Sequence, residues 1–267
     1  MEHISKYLTQ EIKLSSYEDK FFKSDIVFED HMLVWFIAGE TKIVQADKTY
    51  LFKKGDTFLI PRNLLATIIN FPKEGLPHTS VVMHLSVERL KRFYGKHNIL
   101  HTLPPDQHIY HFSNHPLLDS CLNSLIPYFE LGDPMSASIA DLKITEAITI
   151  LREINPEVDR VLANFDVPGK VDLVTFMEKN FMFNLPLEKI SYLTGRSLST
   201  FIRDFKAHFK VTPQKWMINK RLELAYYLLH EKNKKPKDIY LEVGFEDLSH
   251  FSYAFKKKYG FAPTQAQ

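Results

Sequence analysis

The chain has 267 residues, of which 45% are hydrophobic and 25% charged, the composition of an ordinary globular protein. Its length favours two domains, and the single Cys121 cannot form an internal disulfide, which fits a reducing compartment. The N-terminal stretch lacks the apolar region of a secretory signal, and no apolar run is long enough to span a bilayer. We therefore expect a cytoplasmic protein with no membrane partner.

The charge is distributed unevenly along the chain. Residues 168–267 contain 17 Lys and Arg against 10 Asp and Glu, a net charge of +7, whereas residues 1–167 carry −5. A basic C-terminal part suggests an anionic partner for that part. Because lysine-rich solvated faces are common, the charge alone does not identify the partner.

The pattern over residues 1–113 predicts short β-strands. Runs such as "MLVWFIAG", "KIVQA", "DTFLIP", "ATIINF" and "SVVMHL" are rich in β-branched and aromatic residues. Turn signals separate these runs, including Lys54-Gly55-Asp56 and Lys73-Glu74-Gly75. Many short strands at close spacing predict a small barrel or sandwich.

From Asn114 the apolar residues recur at helical intervals, which predicts a helical segment over 114–167 that links or dimerises the chain. Ile144, Ile148 and Leu151 share one face of its second helix. That stripe either packs within the chain or forms a dimer interface, and the sequence favours neither strongly. The proline-flanked stretch Asn155–Lys170 is the natural linker to residues 168–267.

Two similar segments follow one another in the C-terminal part. "LEKISYLTGRSLSTFIRDFKAHFKVTP" aligns with "KDIYLEVGFEDLSHFSYAFKKKYGFAP", with Gly195 matching Gly244 at a spacing of 49 and Phe201 matching Phe251 at 50. Each copy is predicted to be a helix, a glycine turn and a second helix. Ser197 and Asp247 are the expected N-caps of the second helices.

The second helix of each copy has one aromatic face and one slim polar face. The aromatic face recurs every four residues from Phe201 and from Phe251, so it is predicted to face the core. The other face carries Leu198, Ser199, Ile202, Arg203 and Lys206 in the first copy and Leu248, Ser249, Ser252, Tyr253 and Lys256 in the second. A single helix of this kind is more often merely solvated, but two copies in register favour recognition helices for the DNA major groove.

The segment between the copies, "PQKWMINKRLELAYYLLHEKNKKP", is predicted to form one long helix. A stiff connector of this kind fixes the separation of the two recognition helices. If both enter the same face of DNA, they should lie about 34 Å apart, one turn of the double helix.

The segment Val171–Gln267 resembles the AraC family of bacterial transcription regulators. The resemblance is most specific in "NKRLELAYYLL" and "VGFEDLSHFSYAFKKKYGFAP". The resemblance implies that the base- and groove-contacting positions are Leu198, Ser199, Ile202 and Arg203 in the first recognition helix and Leu248, Ser249, Ser252 and Tyr253 in the second. The residue pattern adds Lys206 and Lys256, cations near the rim that meet phosphate. It also implies RNA polymerase as a partner, as expected of an activator, although the sequence itself does not choose between activation and repression. Tyr253 stands where an arginine is common and Tyr240 where a small alanine is usual, so we expect Arg203 to matter more than Tyr253.

The stretch Gly55–Asn70 resembles the second signature of the cupin superfamily, with Gly55, Pro61 and Asn70 in place. Ala66 stands where cupins have a metal-ligating histidine, and His31, His78 and His84 have no spacing that rebuilds a three-ligand site. We therefore expect no metal, no cofactor and no enzymatic activity. A cupin enzyme with an accessory helical domain is the rival interpretation, and a barrel that binds a protein partner is another.

The combined resemblance implies an α+β multidomain protein, with an N-terminal cupin-like β-barrel, linker helices and a C-terminal all-α double helix-turn-helix domain. Such barrels commonly bind a small effector or mediate dimerisation, so a small-molecule effector and a homodimer are expected. The candidate barrel-lining residues are Trp35, Phe36, Phe58, Ile68 and Met83. The alternation of the strands does not show which of them face inward.

Overall fold

The computed structural model describes residues 3–17, 22–71, 77–97, 108–113 and 115–266. The chain forms two compact units, residues 1–166 and 167–267. The fold class predicted from the sequence is confirmed, with a β-rich first unit that also carries helices and an all-α second unit. The predicted turn at Lys73-Glu74-Gly75 and the predicted change of pattern at Asn114 lie outside the described residues.

Ten strands are present in the described part of the first unit. They are β1 (His3–Tyr7), β2 (Ile12–Tyr17), β3 (Phe22–Val27), β4 (His31–Ala38), β5 (Glu40–Val44), β6 (Thr49–Lys53), β7 (Asp56–Ile60), β8 (Leu65–Phe71), β9 (His78–Leu85) and β10 (Tyr110–Ser113). All pairings are antiparallel, in a six-stranded sheet of order β1-β2-β9-β4-β7-β10 and a four-stranded sheet of order β3-β8-β5-β6.

The two sheets enclose one of the two cores of this unit. Phe36 and Phe58 of the larger sheet meet Phe52 of the smaller sheet, and the rings of Phe52 and Phe58 stack with centroids 3.9 Å apart. Because side chains alternate along a strand, the neighbours Trp35 and Leu59 point to the opposite face of the larger sheet. That face needs a second apolar cover.

Helices supply this cover. They are α1 (Val87–Tyr94), α2 (Pro116–Asn123), α3 (Ile126–Leu131), α4 (Ala137–Ile154) and α5 (Asp159–Leu162), with a 3₁₀ turn at Pro156–Val158 before α5. Their apolar residues form one cluster with Trp35, Leu59 and Met83 of the sheet. The helices of residues 115–162 therefore belong to the same compact unit as the barrel.

The second unit contains α6 (Leu173–Asn180), α7 (Leu187–Leu193), α8 (Leu198–Phe209), α9 (Pro213–His230), α10 (Pro236–Ile239) and α11 (Leu248–Tyr259), followed by a 3₁₀ turn at Pro263–Gln265. Both predicted helix-turn-helix pairs are present, as α7–α8 and α10–α11. The long connector is the 18-residue α9. Within the described ranges, no helix is both long and apolar enough to cross a membrane.

The connector α9 contributes to two separate cores. Trp216 and Met217 near its start pack with Phe201 and Phe205 of α8. Further along, apolar residues of α9 such as Leu222 pack with the corresponding rings of α11. Each helix-turn-helix pair thus has its own small core, and both cores share one helix.

Candidate functional site

The N-termini of α8 and α11 are capped as the sequence predicts. The Ser197 hydroxyl accepts a hydrogen bond from the backbone N–H of Thr200 at 3.3 Å. The Asp247 carboxylate accepts one from the N–H of His250 at 2.7 Å. These caps satisfy a donor that the first turn of a helix leaves unpaired, and so they fix where each helix begins.

The aromatic faces of the two helices are buried, as predicted. Phe201 and Phe205 of α8, and Phe251 and Phe255 of α11, are all 0% exposed. Since residues four apart lie on one face of a helix, burial of these rings turns the opposite face outward. The rings therefore orient both helices in the same way relative to their cores.

The outward faces carry the ten residues predicted to contact DNA. On α8, Ser199, Arg203 and Lys206 are exposed, while Leu198 and Ile202 are half-buried and Ile202 packs against the core. On α11 the exposed residues are Leu248, Ser249, Tyr253 and Lys256, and Ser252 is half-buried. The structure brings each set together on one helix face, with a leucine and a serine at the first turn and lysine towards the far end.

A glycine in each turn allows close packing of the backbone. Gly195 has φ +65° and Gly244 has φ +94°, both in the left-handed region that glycine favours. A Cβ at Gly195 would lie 2.4 Å from the carbonyl of Gly169, and one at Gly244 would lie 2.3 Å from the carbonyl oxygen of Met182. Both turns therefore require glycine for its conformation and for its size.

Arg221 of α9 joins the two halves of the DNA-binding unit, although the sequence analysis assigned it no role. It is only 7% exposed, and its Nε and Nη2 donate to the carbonyls of Phe181 (2.9 Å) and Phe183 (2.8 Å) after α6. Its Nη1 donates to the carbonyl of Gly244 (2.9 Å) and to Oδ1 of Asn184 (3.4 Å). One guanidinium thus fixes the loop after α6 and the turn before α11 to the same point of the connector.

Arg203 is held by its neighbour Asp204, which the sequence analysis did not select. Oδ1 of Asp204 accepts from Nε and Nη2 of Arg203 at 3.3 and 3.2 Å, and Oδ2 accepts from Nε of Arg196 at 3.2 Å. Partial desolvation raises the pKa of Asp204, but the hydrogen bonds from the two arginines outweigh it, so that the net pKa lies below the usual value. The carboxylate therefore stays ionised and orients the exposed guanidinium of Arg203.

The corresponding place on α11 differs in chemistry. Tyr253 is 69% exposed, and its ring centroid lies 6.0 Å from Nζ of Lys257. A tyrosine offers a ring and one hydroxyl, whereas an arginine offers a fork of N–H donors. Tyr240, the other residue that departs from the family pattern, packs half-buried against the second core.

The barrel contains a cavity of about 190 Å³ between its two sheets. Of the predicted lining residues, Phe36, Phe58 and Ile68 border this cavity. Trp35 and Met83 do not, because they lie at the other parity of their strands and pack against the helices. Their selection as effector-binding residues is therefore corrected.

One part of the cavity wall is polar. The hydroxyl of Thr41 donates to Oδ1 of Asn70 at 2.7 Å, and Nε2 of His78 lies 2.7 Å from the same hydroxyl. All three residues are at most 5% exposed. Burial lowers the pKa of His78 to about 4, so that its ring is neutral at neutral pH.

The predicted dimer stripe is covered within the chain. Ile144, Ile148 and Leu151 are each 0% exposed and pack in the core that joins the helices to the larger sheet. A side chain with no exposed area offers no surface to a second subunit. Of the two interpretations of this stripe, packing within the chain is the one that the structure supports.

The cupin-like stretch keeps its backbone shape. Asn63, which replaces the second glycine of the signature, has φ +62°, a conformation that asparagine tolerates better than most residues. Ala66 is fully buried at the position of the missing ligand. Among the described residues, no three His, Cys, Asp or Glu side chains are grouped so that they could hold a metal ion.

Comparison with known proteins adds sequence similarity to this geometry. Residues 191–267 match the family described as a helix-turn-helix domain, and residues 31–158 match the ExsA N-terminal regulatory domain. The chain is 25% identical to the HTH-type transcriptional regulator ExsA of Pseudomonas aeruginosa over 242 residues, which cover 86% of this chain and 84% of that protein. These similarities support an AraC-family transcriptional regulator with an N-terminal regulatory domain.

Two further comparisons concern a curated protein and a solved structure. The virulence regulon transcriptional activator VirF of Yersinia enterocolitica is 26% identical over 158 residues, 58% of each chain. A solved structure of ToxT from Vibrio cholerae aligns with 96% of this chain and 97% of its own, at 14% identity and a TM-score of 0.41. With its helix-turn-helix domain, the chain is a DNA-binding transcriptional regulator.

Proposed function

We propose that α8 and α11 enter two successive major-groove segments on one face of promoter DNA, with α9 setting their separation. The observation that carries this proposal is that α8 and α11 have the same arrangement of cap, buried face and outward face. Both helices have a capped start, a buried aromatic face and an outward strip that begins with leucine and serine and ends with lysine. A slim first turn lets a helix approach base edges, while cations near its end reach phosphates.

Each residue of the two strips has a role in this proposal. Arg203 donates hydrogen bonds from its guanidinium N–H groups to a base edge. Tyr253 contacts a base with its ring or hydroxyl. Lys206 and Lys256 contact phosphates. The remaining contacts with bases and the groove wall come from Leu198, Ser199, Ile202, Leu248, Ser249 and Ser252.

The salt dependence of promoter binding tests the assigned face. Each lost phosphate contact lowers the slope of log affinity against log salt by about one unit. We expect Lys206→Ala and Lys256→Ala each to lower the slope by about one. Lys54→Ala, an exposed lysine of the barrel unit, is the matched control and should leave the slope unchanged. If Arg203→Ala and Lys206→Ala together change neither affinity nor slope, the face is wrongly assigned.

We propose that the cavity of the barrel binds a small-molecule effector that controls transcription, in an activator that contacts RNA polymerase. The support is the cavity itself, which has apolar walls and a buried polar cluster, the usual character of a ligand site. Thermal unfolding with candidate ligands separates this from a barrel that binds a protein partner. A ligand that binds only the folded state must stabilise it by RT ln(1 + [L]/Kd).

The remaining parts of the proposal concern location, assembly and chemistry. A bacterial transcription regulator acts where the chromosome lies, so we place the protein in the cytoplasm, with no enzymatic activity of its own.

We also propose a homodimer, formed through the outward face of the helices in the first unit, where Leu131 and Leu142 are 75% and 68% exposed. Light scattering checks this, because Leu142→Asp should halve the mass while the protein stays folded. An unchanged dimer mass would put the interface elsewhere.

A further inference from the structure

The cavity of the barrel has two chemically different ends. At one end Thr41 faces Asn70 across β5 and β8, and His78 stands at the start of β9. At the other end Met32 pairs with Ile60 across β4 and β7, with further apolar side chains around them. A molecule that fills this cavity therefore meets hydrogen-bonding groups at one end and hydrocarbon at the other.

Among the described residues, one donor and one acceptor at the polar end have no hydrogen-bond partner. Because the single hydroxyl proton of Thr41 goes to Asn70, the Nε2–H of His78 donates to the hydroxyl oxygen, and Nδ1 carries the lone pair. Nδ1 of His78 has no hydrogen-bond partner in the described part of the chain. The amide nitrogen of Asn70 likewise has no hydrogen bond to a described residue. A group that both accepts and donates would satisfy the two, as buried polar groups require.

The charge of this end favours an uncharged group. The ring of His78 is neutral at neutral pH, since burial lowers its pKa to about 4. A carboxylate would bring its oxygens against the lone pair of Nδ1. The cation among the cavity-lining residues is Lys13 on β2, whose Nζ lies 5.8 Å from the ring centroid of Tyr7 on the edge strand β1.

The size of the cavity limits the ligand. A dry apolar cavity of about 150 Å³ is enough to bind benzene. The 190 Å³ found here therefore suits a body of that size with one small polar substituent. It is smaller than the usual range for drug-sized molecules, which begins at about 300 Å³.

We propose that the cavity binds a small uncharged molecule whose apolar body carries one hydroxyl or carboxamide group. This group donates a hydrogen bond to Nδ1 of His78 and accepts one from the amide of Asn70, while the body lies among the apolar side chains. The inference rests on the proposed function of the barrel as an effector site, and it adds the chemical class of the effector.

Three probes of one shape test the proposal on the full chain: benzyl alcohol, toluene and benzoate. Isothermal titration calorimetry at pH 7 gives the affinity of each. Because each added hydrogen bond is equivalent to up to about a tenfold change in affinity, the two bonds of benzyl alcohol should make it bind about ten- to a hundredfold more tightly than toluene. Benzoate should bind more weakly than benzyl alcohol. Toluene binding as tightly as benzyl alcohol, or benzoate binding most tightly, would overturn the ligand class but leave the effector site.

Variants connect the preference to the polar end. His78→Phe keeps a ring but removes Nδ1, so the preference for benzyl alcohol over toluene should fall by up to about tenfold, which leaves only the contribution of Asn70. Thr41→Val removes the hydroxyl that fixes the tautomer of His78 and should reduce the preference in the same direction, which keeps the test open if His78→Phe does not fold. Thr57→Val is the matched control. Thr57 is buried in the larger sheet, which also carries His78, but it lies on the side that faces the helices rather than the cavity. Retention of the preference in both His78→Phe and Thr41→Val would contradict the proposal.

Promoter affinity measured with and without saturating benzyl alcohol distinguishes the proposed ligand class from the proposed effector function. A changed affinity supports both the ligand class and the effector function. Selective binding with unchanged affinity supports the ligand class and counts against the effector function. If none of the three probes binds while DNA binding is intact, both fail for this cavity.

Discussion

The two helix-turn-helix pairs share a framework but differ in how their recognition helices are supported. In the first pair Asp204 on α8 itself joins the exposed Arg203 to Arg196 of the turn. In the second pair the support comes from the connector, through the bond from Arg221 to the carbonyl of Gly244. Exposed Tyr253 occupies the place that corresponds to Arg203.

The positions that build the fold are duplicated, whereas two of the five outward pairs differ between the copies, Ile202 against Ser252 and Arg203 against Tyr253. The caps, the glycines and the buried rings repeat because each copy must solve the same packing problem. The outward residues have no such constraint and can diverge. We therefore expect the two copies to read different base sequences, so that the operator consists of two unlike boxes.

The largest effect is expected from Arg221→Met, which tests whether the second pair depends on the connector. The change leaves three backbone carbonyls without their donor, and because each buried acceptor left unpaired costs about 1–3 kcal/mol, we expect a loss of at least about 3 kcal/mol. Urea unfolding measures this loss. Lys220→Met is the control, because its ion pair with Glu178 lies at the surface and contributes less than about 1 kcal/mol. A loss below about 1 kcal/mol for Arg221→Met would mean that the second pair is held by its own core.

Substitution of the turn glycines compares the two pairs directly. Gly195→Ala and Gly244→Ala each add an unfavourable backbone conformation and a clash with backbone atoms, so we expect losses of about 2–4 kcal/mol. Gly260→Ala is matched in conformation, with φ +85°, but its added Cβ meets nothing within 4 Å, and it should cost only about 1 kcal/mol. Thermal unfolding distinguishes them. Equal losses at all three positions would show that backbone strain alone matters.

The DNA contacts of Arg203 and Tyr253 are expected to differ in strength. Arg203→Ala should weaken promoter binding by about 1–3 kcal/mol and relax the preference at one base pair, the usual cost of a lost bidentate contact. Tyr253→Ala should weaken it by several-fold only. Gel-shift titration against a set of single base-pair variants measures both. If Tyr253→Ala costs more than Arg203→Ala, the second helix supplies the dominant contact.

The smallest effect is expected from Asp204→Asn, which removes the charge that orients Arg203. Affinity for non-specific DNA should rise slightly because a negative charge is lost, while affinity for the promoter falls by a few-fold. The measured quantity is the ratio of the two affinities. Asp238→Asn, at an exposed aspartate of α10, is the control and should raise both affinities alike.

Local patterns predicted the DNA-binding unit well. The caps at Ser197 and Asp247, the buried rings and the long connector each depend on residues within a few positions of one another, so spacing alone indicates them. Arg221 could not be found in this way, because its partners lie 23 to 40 residues away. The one available sign was an arginine among the apolar residues of a connector helix.

The barrel was harder to predict, for two physical reasons. The strands β1, β2 and β3 were missed because their sequences, HISKY, IKLSSY and FKSDIV, alternate polar residues with few large apolar ones. Strand parity also remained open, since the continuous apolar run of β4 is covered on both faces. For this reason the sequence could not assign Trp35 and Phe36 to different cores, whereas the structure does.

The four hydrogen bonds of Arg221 have a consequence for promoter evolution. One inserted base pair moves the second box by about 3.4 Å and turns it by roughly 35° around the DNA axis. A protein with a loose connector could follow such a change. In this protein the buried guanidinium of Arg221 bonds both halves of the DNA-binding unit, so the two recognition helices cannot follow it. Regulated promoters should therefore tolerate base substitutions within either box far better than a single-nucleotide insertion or deletion between them.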